Sequence, residues 1–217
     1  MLNEQEHIRG LLKLLQPVRN CGAELIVVDG GSTDLSCEYA EPLCDHLVHS
    51  ERGRARQMNA GAAIANGELL WFLHADSIPS DAVLDRLRKI CDSGKNVWGR
   101  FDVSMSGSHF LLKIVAFMMN TRSSVTGIAT GDQGIFIHRN LFEEVNGFPD
   151  LLLMEDISIC TELKKIRMPL CCREKLITSS RRWEEKGILR TIMLMWWIRF
   201  SCATGRDPKK LHQQYYS

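Results

Sequence analysis

The chain has 217 residues and balances 27 Lys and Arg against 26 Asp and Glu, for a formal net charge of +1. This length suits one domain with a substantial core, and the balanced charge argues against a general polyanion binder such as a nucleic-acid protein. The eight cysteines form no C-x-x-C pair, so we expect reduced thiols in a cytoplasmic protein. No signal peptide is recognised, and no stretch approaches the roughly 18 uninterrupted apolar residues of a transmembrane helix.

The first half of the chain predicts alternating helices and strands. A helix is expected over residues 3–15, with Asn3 and Glu6 in the pattern of a capping box. Further strands and helices follow from apolar runs and helical spacing. They are strands at 25–28 and 47–49, a helix at 53–65, a strand at 69–73 and a helix from 80 to about 91.

The second half predicts a less regular order. It comprises a strand at 97–105, an apolar helix at 110–119, a strand at 135–137, a helix from 154, a strand at 170–177 and a helix at 188–203. Strands and helices alternate in the first half and follow a mixed order in the second, which predicts an α/β domain with a partly parallel sheet. We expect a single domain over residues 1–204, with a nucleotide-binding part at 1–80, an acceptor-side part at 95–204 and a polar tail at 205–217.

Asp76 follows the apolar run 69–73, which is typical of a strand covered on both faces. Ligands of open α/β sheets collect at the carboxyl ends of such strands, so Asp76 is a candidate to hold a metal, a phosphate's counter-ion or a hydroxyl. Capping of the next helix is an equally good interpretation. His74 fits a metal ligand or supporting donor as well as it fits a buried, satisfied histidine.

Asp29 ends another predicted strand, and a doubly wound sheet brings such ends to one edge. The pair predicts a nucleotide site, in which Asp29 accepts hydrogen bonds from a base or ribose and Asp76 holds a cation against a diphosphate. Arg54 and Arg56 open the following helix and could favour a phosphate. Taken by themselves, these two arginines are better explained by a solvated helix face.

A second group of candidates lies late in the chain. Glu155 at a helix start can be explained by the helix dipole alone, whereas Asp156 is a candidate general base for an incoming hydroxyl. Arg182 is suited to compensate diphosphate charge, and Trp183 offers a flat face for a sugar or lipid acceptor. The apolar helices 110–119 and 188–203 either contact lipid or pack into the core, and we favour the core.

The order of these residues resembles the family-2 glycosyltransferases, which have the GT-A fold and move a sugar from a nucleotide donor. The resemblance extends over nearly the whole chain. Within the family, the chain is similar to a small bacterial branch that is labelled as associated with arsenosugar biosynthesis. It is carried by LNE (2–4), VVDGGSTD (27–34), GRARQMNAGAAIANGE (53–68), FLHAD (72–76), GDQGIF (131–136), GFPD (147–150), MED (154–156) and RRW (181–183).

The resemblance implies a mostly parallel central sheet, an inverting hexosyl transfer and a Mg²⁺ or Mn²⁺ ion that holds the leaving diphosphate. It makes Asp29 the nucleoside-recognising residue, Asp76 the remaining member of a D-x-D metal motif and Asp156 the base. Arg182 and Trp183 then belong to a Q-x-x-R-W motif. The matched segments also place Asn3, Glu4, Gly30, Ser32, Arg54 and Asn59 on the donor side, and Gly131, Asp132, Gln133 and Glu155 on the acceptor or diphosphate side.

Three departures from the family pattern affect these expectations. His74 replaces the first Asp of D-x-D, so metal affinity is in question and His74 is itself a candidate ligand. Ser179 replaces the Gln of Q-x-x-R-W. The family's first strand is expected before Leu2, so we expect a truncated or misassigned gene product.

These departures support a rival hypothesis of a non-catalytic nucleotide-sugar-binding fragment. A nucleotide-binding oxidoreductase is disfavoured, because no G-x-G-x-x-G follows an early strand. The expected location is cytoplasmic, in solution or against the inner membrane face. The sequence does not specify the sugar, the base, the acceptor or the oligomeric state.

Overall fold

The computed structural model describes residues 1–203, without the side chains of residues 182, 185, 186, 199, 200, 202 and 203. The helices are α1 (Ile8–Arg19), α2 (Ser36–Ala40), α3 (Arg54–Ile64), α4 (Asp81–Asp92), α5 (Phe110–Thr126), α6 (Arg139–Glu144), α7 (Glu155–Ile166), α8 (Arg181–Lys186) and α9 (Ile188–Ala203). The strands are β1 (Ile26–Asp29), β2 (His46–His49), β3 (Leu69–Trp71), β4 (Ser77–Pro79), β5 (Trp98–Met105), β6 (Phe136–His138) and β7 (Leu170–Thr178). The predicted tail at 205–217 lies outside the described residues.

The strands form two sheets in the described part of the chain, and the predicted α/β class is confirmed. β1 and β2 are parallel, and the second sheet has the order β3-β6-β5-β7-β4. In that sheet only β5 and β7 are parallel, so the prediction of a mostly parallel sheet was wrong. The apolar runs indicated burial on both faces, which strands of either direction can have.

A cavity of about 1170 Å³ separates the two sheets. It is lined by β1 and β3, which face each other as the edge strands of the described sheets, and by α1, α3 and α4. The Met1 amino group donates to the Val28 carbonyl, and the Gly30 amide donates to the Met1 carbonyl at 3.0 Å. Met1 therefore pairs with the end of β1 in the manner of a parallel strand.

The main core lies between the larger sheet and helices α3 and α7. Trp98 and Ile137 are fully buried in it, and the Trp98 indole donates to the Arg167 carbonyl at 2.7 Å. Phe72, just after β3, stacks on Phe142 at 5.4 Å and meets Phe148 edge-on at 4.9 Å. These rings attach the end of β3 to the 142–148 segment.

Helix α5 is fixed to β5 by polar contacts in the interior. The Asn120 side chain accepts from the Val103 amide and donates to the Val103 carbonyl, both at 2.9 Å. The buried Arg100 guanidinium pairs with Asp102 and donates to the Asn120 carbonyl at 3.1 Å. The helix runs seven residues past its predicted end at 119 and stops at Gly127, which has φ +67°.

The predicted capping box at Asn3 and Glu6 was wrong. Helix α1 begins at Ile8 with His7 as its N-cap and no side-chain cap, and Asn3 instead accepts a hydrogen bond from Thr33. The short elements α2, β4, α6 and α8 were not predicted, because they carry too few residues for a hydrophobic period to show. No helix among residues 1–203 has both the length and the apolar character needed to cross a bilayer.

Candidate functional site

Asp29 ends β1 and organises the loop that follows it. Its carboxylate is buried and accepts hydrogen bonds from the Gly31 and Ser32 amides, both at 3.0 Å, and from the Ser32 hydroxyl. Burial raises the pKa of Asp29, but these hydrogen bonds outweigh it and hold the pKa below its ordinary value. Asp29 is therefore an anionic acceptor at the tip of the strand.

The amino-terminal segment closes over this loop. The Asn3 amide donates to the Ser32 hydroxyl and the Thr33 amide donates to Asn3 Oδ1, both at 2.9 Å. A Cβ at Gly30 would lie 3.0 Å from the side chain of Gln57, so close packing favours glycine there. The structure thus brings Asn3, Gly30 and Ser32 together with Asp29, and their binding of a donor stays a prediction.

Glu4 and Asp76 bring two carboxylates to neighbouring positions. Burial and the nearby charge of Asp76 raise the pKa of Glu4. The buried Glu4 Oε2 has no hydrogen-bond partner among the described residues. Mg²⁺ and Mn²⁺ prefer oxygen ligands, and Mg²⁺ is commonly held by one or two carboxylates plus substrate phosphates. The residues at the end of β3 therefore fit such a cation.

His74 contacts the GDQG loop, residues 131–134, which precedes β6. His74 Nδ1 lies 3.3 Å from Asp132 Oδ1, and a Cβ at Gly131 would lie only 2.5 Å from His74 Nε2. The ring thus packs against the loop and holds it beside the end of β3. This supports the interpretation of His74 as a supporting donor, while its direct binding of a metal stays a prediction.

Asp156 and Glu155 open α7 against the same loop. Asp156 Oδ2 accepts from the Gly131 amide at 2.9 Å, and its Oδ1 accepts from the Ile157 amide at 2.8 Å. Met154, the N-cap, has the left-handed conformation with φ +66°. Glu155 is buried, and its pKa is raised by burial and by Asp156, with smaller opposing effects of Arg54 and His74.

Contacts join the end of β3, the GDQG loop and the start of α7, because His74 lies against the loop and Asp156 accepts from its Gly131 amide. Asp156 raises the pKa of Glu155, while Arg54 and His74 lower it. The site combines a cationic helix start with carboxylates. Such an arrangement can bind a phosphate and a cation and can accept a proton.

Two predicted binding residues are occupied by structural contacts. The Asn59 amide donates to the Phe148 carbonyl at 2.8 Å and accepts from the Phe148 amide at 2.9 Å. Gln133 is fully buried, donates to Ser123 at 2.8 Å and accepts from the Thr130 amide at 3.2 Å. These side chains position the backbone around the site, and a direct contact of either with a ligand stays a prediction.

Arg56 and Arg54 differ in their surroundings. Arg56 forms a bidentate contact with Asp150, at 2.9 to 3.1 Å, and also pairs with Glu51. Its guanidinium is therefore occupied by carboxylates. Arg54 lies at the first position of α3 and is exposed, and its binding of a phosphate stays a prediction.

The RRW segment forms α8. The Arg182 side chain is outside the described residues, while Trp183 is half-buried. Arg181, which sequence reasoning did not select, lies 3.7 Å from Glu6 Oε2 and 3.5 Å from His7 Nε2, and its charge lowers the pKa of Glu4. Its only sequence signal was its place beside Arg182 in the same motif.

A second cluster of potential metal ligands lies beside β1. Single ligand atoms of Asp29, Cys37 and His49 are within 4.8 Å of one another. Burial and Asp29 raise the pKa of the Cys37 thiol, which favours its protonated form. Sequence reasoning missed this cluster, because parallel pairing of β1 and β2 brings His49 beside Asp29 and no short motif contains the three residues.

A family model described as "Glycosyl transferase family 2" matches residues 1–139. The chain therefore belongs to glycosyl transferase family 2. Comparison with curated proteins gave no significant match.

Solved structures of glycosyltransferases resemble this chain in fold. Staphylococcus aureus TarS 1–349 in complex with UDP-GlcNAc has a TM-score of 0.67 and 16% identity, over 82% of this chain and 56% of that one. The mannosyltransferase PcManGT from Pyrobaculum calidifontis, in complex with GDP-Man and Mn²⁺, has a TM-score of 0.61 and 21% identity, over 82% and 54%.

Glucosyl-3-phosphoglycerate synthase from Mycobacterium tuberculosis, in complex with Mn²⁺ and UDP-glucose, has a TM-score of 0.59 and 16% identity, over 82% and 67%. At these identities the similarity establishes the fold alone, which is the GT-A fold. The chain spans only 54 to 67% of these three relatives.

Proposed function

We propose that this protein transfers a sugar from a nucleotide-diphosphate-sugar to a hydroxyl acceptor, with inversion at the anomeric carbon. The observation that carries the proposal is the contact of Asp156 with Gly131, in the loop that packs on His74 at the end of β3. This contact fixes the Asp156 carboxylate, which is suited to accept a proton, beside the end of β3, where Asp76 lies. Family membership makes sugar transfer the reaction that this pairing serves.

The donor's nucleoside is assigned to the Asp29 loop. Asp29 is anionic and buried at the tip of β1, and the Asn3 and Ser32 contacts hold its loop in place. Two of the similar structures are complexes with nucleotide sugars, one with UDP-GlcNAc and one with GDP-Man, which supports a nucleotide-sugar as the donor class. Arg54 at the start of α3 is assigned to the diphosphate.

The cation is assigned to Asp76, with Glu4 as the second carboxylate near it. A bound Mg²⁺ or Mn²⁺ would neutralise charge on the leaving diphosphate. The buried Glu4 Oε2, which has no hydrogen-bond partner among the described residues, supports this assignment. Burial raises the pKa of Glu4, and the charge of Asp76 adds to that effect. The names of two relatives in complex with Mn²⁺ agree with it.

Asp156 is assigned as the base that takes the proton from the acceptor hydroxyl. One of its oxygens is oriented by the Gly131 amide and the other by the Ile157 amide, and the residue remains partly exposed. Glu155, the preceding residue, is buried, and we assign it a supporting role. Trp183 and Arg182 are assigned to the acceptor side by the family motif.

A second candidate function is nucleotide-sugar binding without transfer. The observation that favours it is the cavity of about 1170 Å³ behind β1, because a strand with a large cavity along one edge supports the Asp29 loop less firmly. This candidate predicts donor binding without turnover.

A panel of nucleotide sugars tests the proposal by thermal stabilisation, with and without Mn²⁺. We expect one donor to raise the unfolding midpoint, with a larger rise in Mn²⁺, and expect Asp29→Asn to abolish that rise. Exposed Glu162→Gln serves as the matched control. The stabilising donor is then incubated with hydroxyl acceptors, and release of nucleoside diphosphate is measured. Stabilisation without release under any condition supports the binding-only candidate, and no stabilisation by any donor contradicts both.

A further inference from the structure

Helix α5 exposes a row of large apolar side chains at helical spacing. Four of its exposed apolar residues occur at positions i, i+4, i+7 and i+8, so they share one face. We call this row the α5 stripe, and its members are Phe110 (66% exposed), Ile114 (38%), Phe117 (69%) and Met118 (48%). The opposite face packs into the protein through Leu112, Val115 and Ala116.

Helix α9 repeats the same spacing. The α9 stripe consists of Leu189 (63% exposed), Met193 (66%), Trp196 (64%) and Trp197 (45%). Its opposite face contacts the protein through Ile198 and Leu194, which pack with Leu153 and Met154. The core role that the sequence favoured for both helices therefore accounts for only one face of each.

The charged residues within the two helices are all basic. Neither helix contains Asp or Glu, and their charged residues are Lys113 and Arg122 in α5 and Arg190 and Arg199 in α9. At about 100° per residue, Lys113 lies some 40° beyond the edge of the α5 stripe and Arg190 some 20° beyond the edge of the α9 stripe. Both of these side chains are exposed.

Large apolar side chains, tryptophans and neighbouring cations are the composition of helices that lie in the interface of a bilayer. Exposed apolar rows of this size are uncommon on the surface of a soluble monomer. Neither helix is long enough to span a bilayer, since α5 has 17 residues and α9 has 16. The geometry therefore suits contact along the helix rather than insertion across the membrane.

We propose that the α5 and α9 stripes bind the surface of an anionic lipid bilayer. The phenylalanines, leucine and methionines enter the boundary of the acyl chains, and Trp196 and Trp197 lie at the level of the headgroups. Lys113 and Arg190 contact anionic headgroups. Because α9 packs on Met154, the N-cap of the helix that begins with Glu155 and Asp156, the membrane would lie about one helix diameter, roughly 10 Å, from that segment.

The test is co-sedimentation of the full chain with vesicles of phosphatidylcholine alone or with about 30% phosphatidylglycerol. We expect binding to the anionic vesicles and much weaker binding to the neutral ones. The double variant Phe117→Ser with Trp196→Ser should lower the partition coefficient at least tenfold, because two large apolar side chains no longer leave water. Met168→Ser, which is 61% exposed and outside both stripes, is the matched control and should stay within about twofold of wild type.

A second pair of variants separates charge from apolar contact. Lys113→Glu with Arg190→Glu should weaken binding to anionic vesicles and leave binding to neutral vesicles unchanged. Circular dichroism and the melting temperature check that each variant folds. Wild-type protein that sediments with neither vesicle, or a stripe variant that binds as well as wild type, overturns the proposal.

The oligomeric state tests whether the stripes instead contact a second copy of the chain. Size-exclusion chromatography in the absence of lipid should give a monomer for both the wild type and the stripe variant. A wild-type dimer that becomes a monomer in the stripe variant, without vesicle binding, would show that the stripes contact a second copy and would also overturn the proposal.

Discussion

The Asp156 carboxylate accepts a hydrogen bond from the Gly131 amide across 25 residues of sequence. Gly131 belongs to a loop that Gln133 anchors in the core through Ser123 and Thr130. The loop also carries the ring of His74 on its other side. One oxygen of Asp156 is thus positioned by an element that is itself rigidly held, which is what a general base requires.

Asp156→Asn should separate binding from turnover. Asn keeps the size and polarity of Asp and can still accept from one of the two amides, that of Gly131 or that of Ile157, but it cannot take a proton from a hydroxyl. We expect kcat to fall by about 10²-fold or more, and donor affinity to stay within a few-fold of wild type. Steady-state kinetics and equilibrium titration with the donor measure the two quantities.

The matched control is Glu162→Gln, an exposed carboxylate later on the same helix. It should leave both quantities unchanged. Wild-type turnover in Asp156→Asn would remove Asp156 from the role of base.

Asp76→Asn tests the cation assignment. If Asp76 helps to hold Mn²⁺ or Mg²⁺ against the diphosphate, the substitution should weaken donor binding much more in Mn²⁺ than in EDTA. It should also bring the pKa of Glu4 closer to its ordinary value, because the charge of Asp76 contributes to raising it. Calorimetric titration in the two buffers measures affinity, and equal losses in both would mean that Asp76 does not act through a metal.

Glu155→Gln should change the pH dependence of stability. The pKa of Glu155 is raised in the folded protein, so between the unfolded value of about 4.3 and the folded value the folded state binds more protons than the unfolded state. The wild type therefore loses stability as the pH rises through this window. Gln has no proton to lose, so the variant should be more stable than wild type at pH 7 to 8 and lose that advantage near pH 4.

Thermal unfolding at several pH values measures this difference. A parallel pH dependence in both proteins would exclude Glu155 as its source. Glu162→Gln again serves as the exposed control.

A strand fused ahead of Met1 should fill the cavity between β1 and β3. Six β-branched apolar residues would continue the pairing that Met1 already makes with Val28 and Gly30. Burial of these side chains against the apolar lining should raise the melting temperature by at least about 4 °C, which corresponds to roughly 1 to 2 kcal/mol for a domain of this size. A Gly-Ser extension of equal length is the control, and an equal melting temperature for both extensions would contradict the expectation.

Sequence reasoning located most of the secondary structure, because hydrophobic periods are local. The strand ending at Asp29, the helix starting at Arg54 and the helix starting at Glu155 were all found within one or two residues. The hydrophobic pattern did not predict whether neighbouring strands are parallel or antiparallel. Burial on both faces gives similar residues in parallel and antiparallel strands, and only the pairing with β6 and β7 decides between them.

The candidate site was predicted in part. Motif order selected Asp29, Asp76 and Asp156, which the structure places at strand ends and a helix start. It also selected Asn59 and Gln133, whose amides are occupied by backbone and side-chain groups of other segments. A motif shows that a polar residue is needed but does not show what it binds, since the partners of Asn59 lie 89 residues away.

The side chain of Asn120 has a consequence for orientation. The Asn120 side chain bonds to both backbone groups of Val103, as a neighbouring strand would. Helix α5 therefore cannot rotate about its own axis without breaking two hydrogen bonds in the interior. Arg100 adds a third contact, because its guanidinium donates to the backbone carbonyl of Asn120. The direction in which the outer face of α5 points is therefore fixed relative to the five-stranded sheet, and any flat surface that this face contacts meets the sheet at one defined tilt.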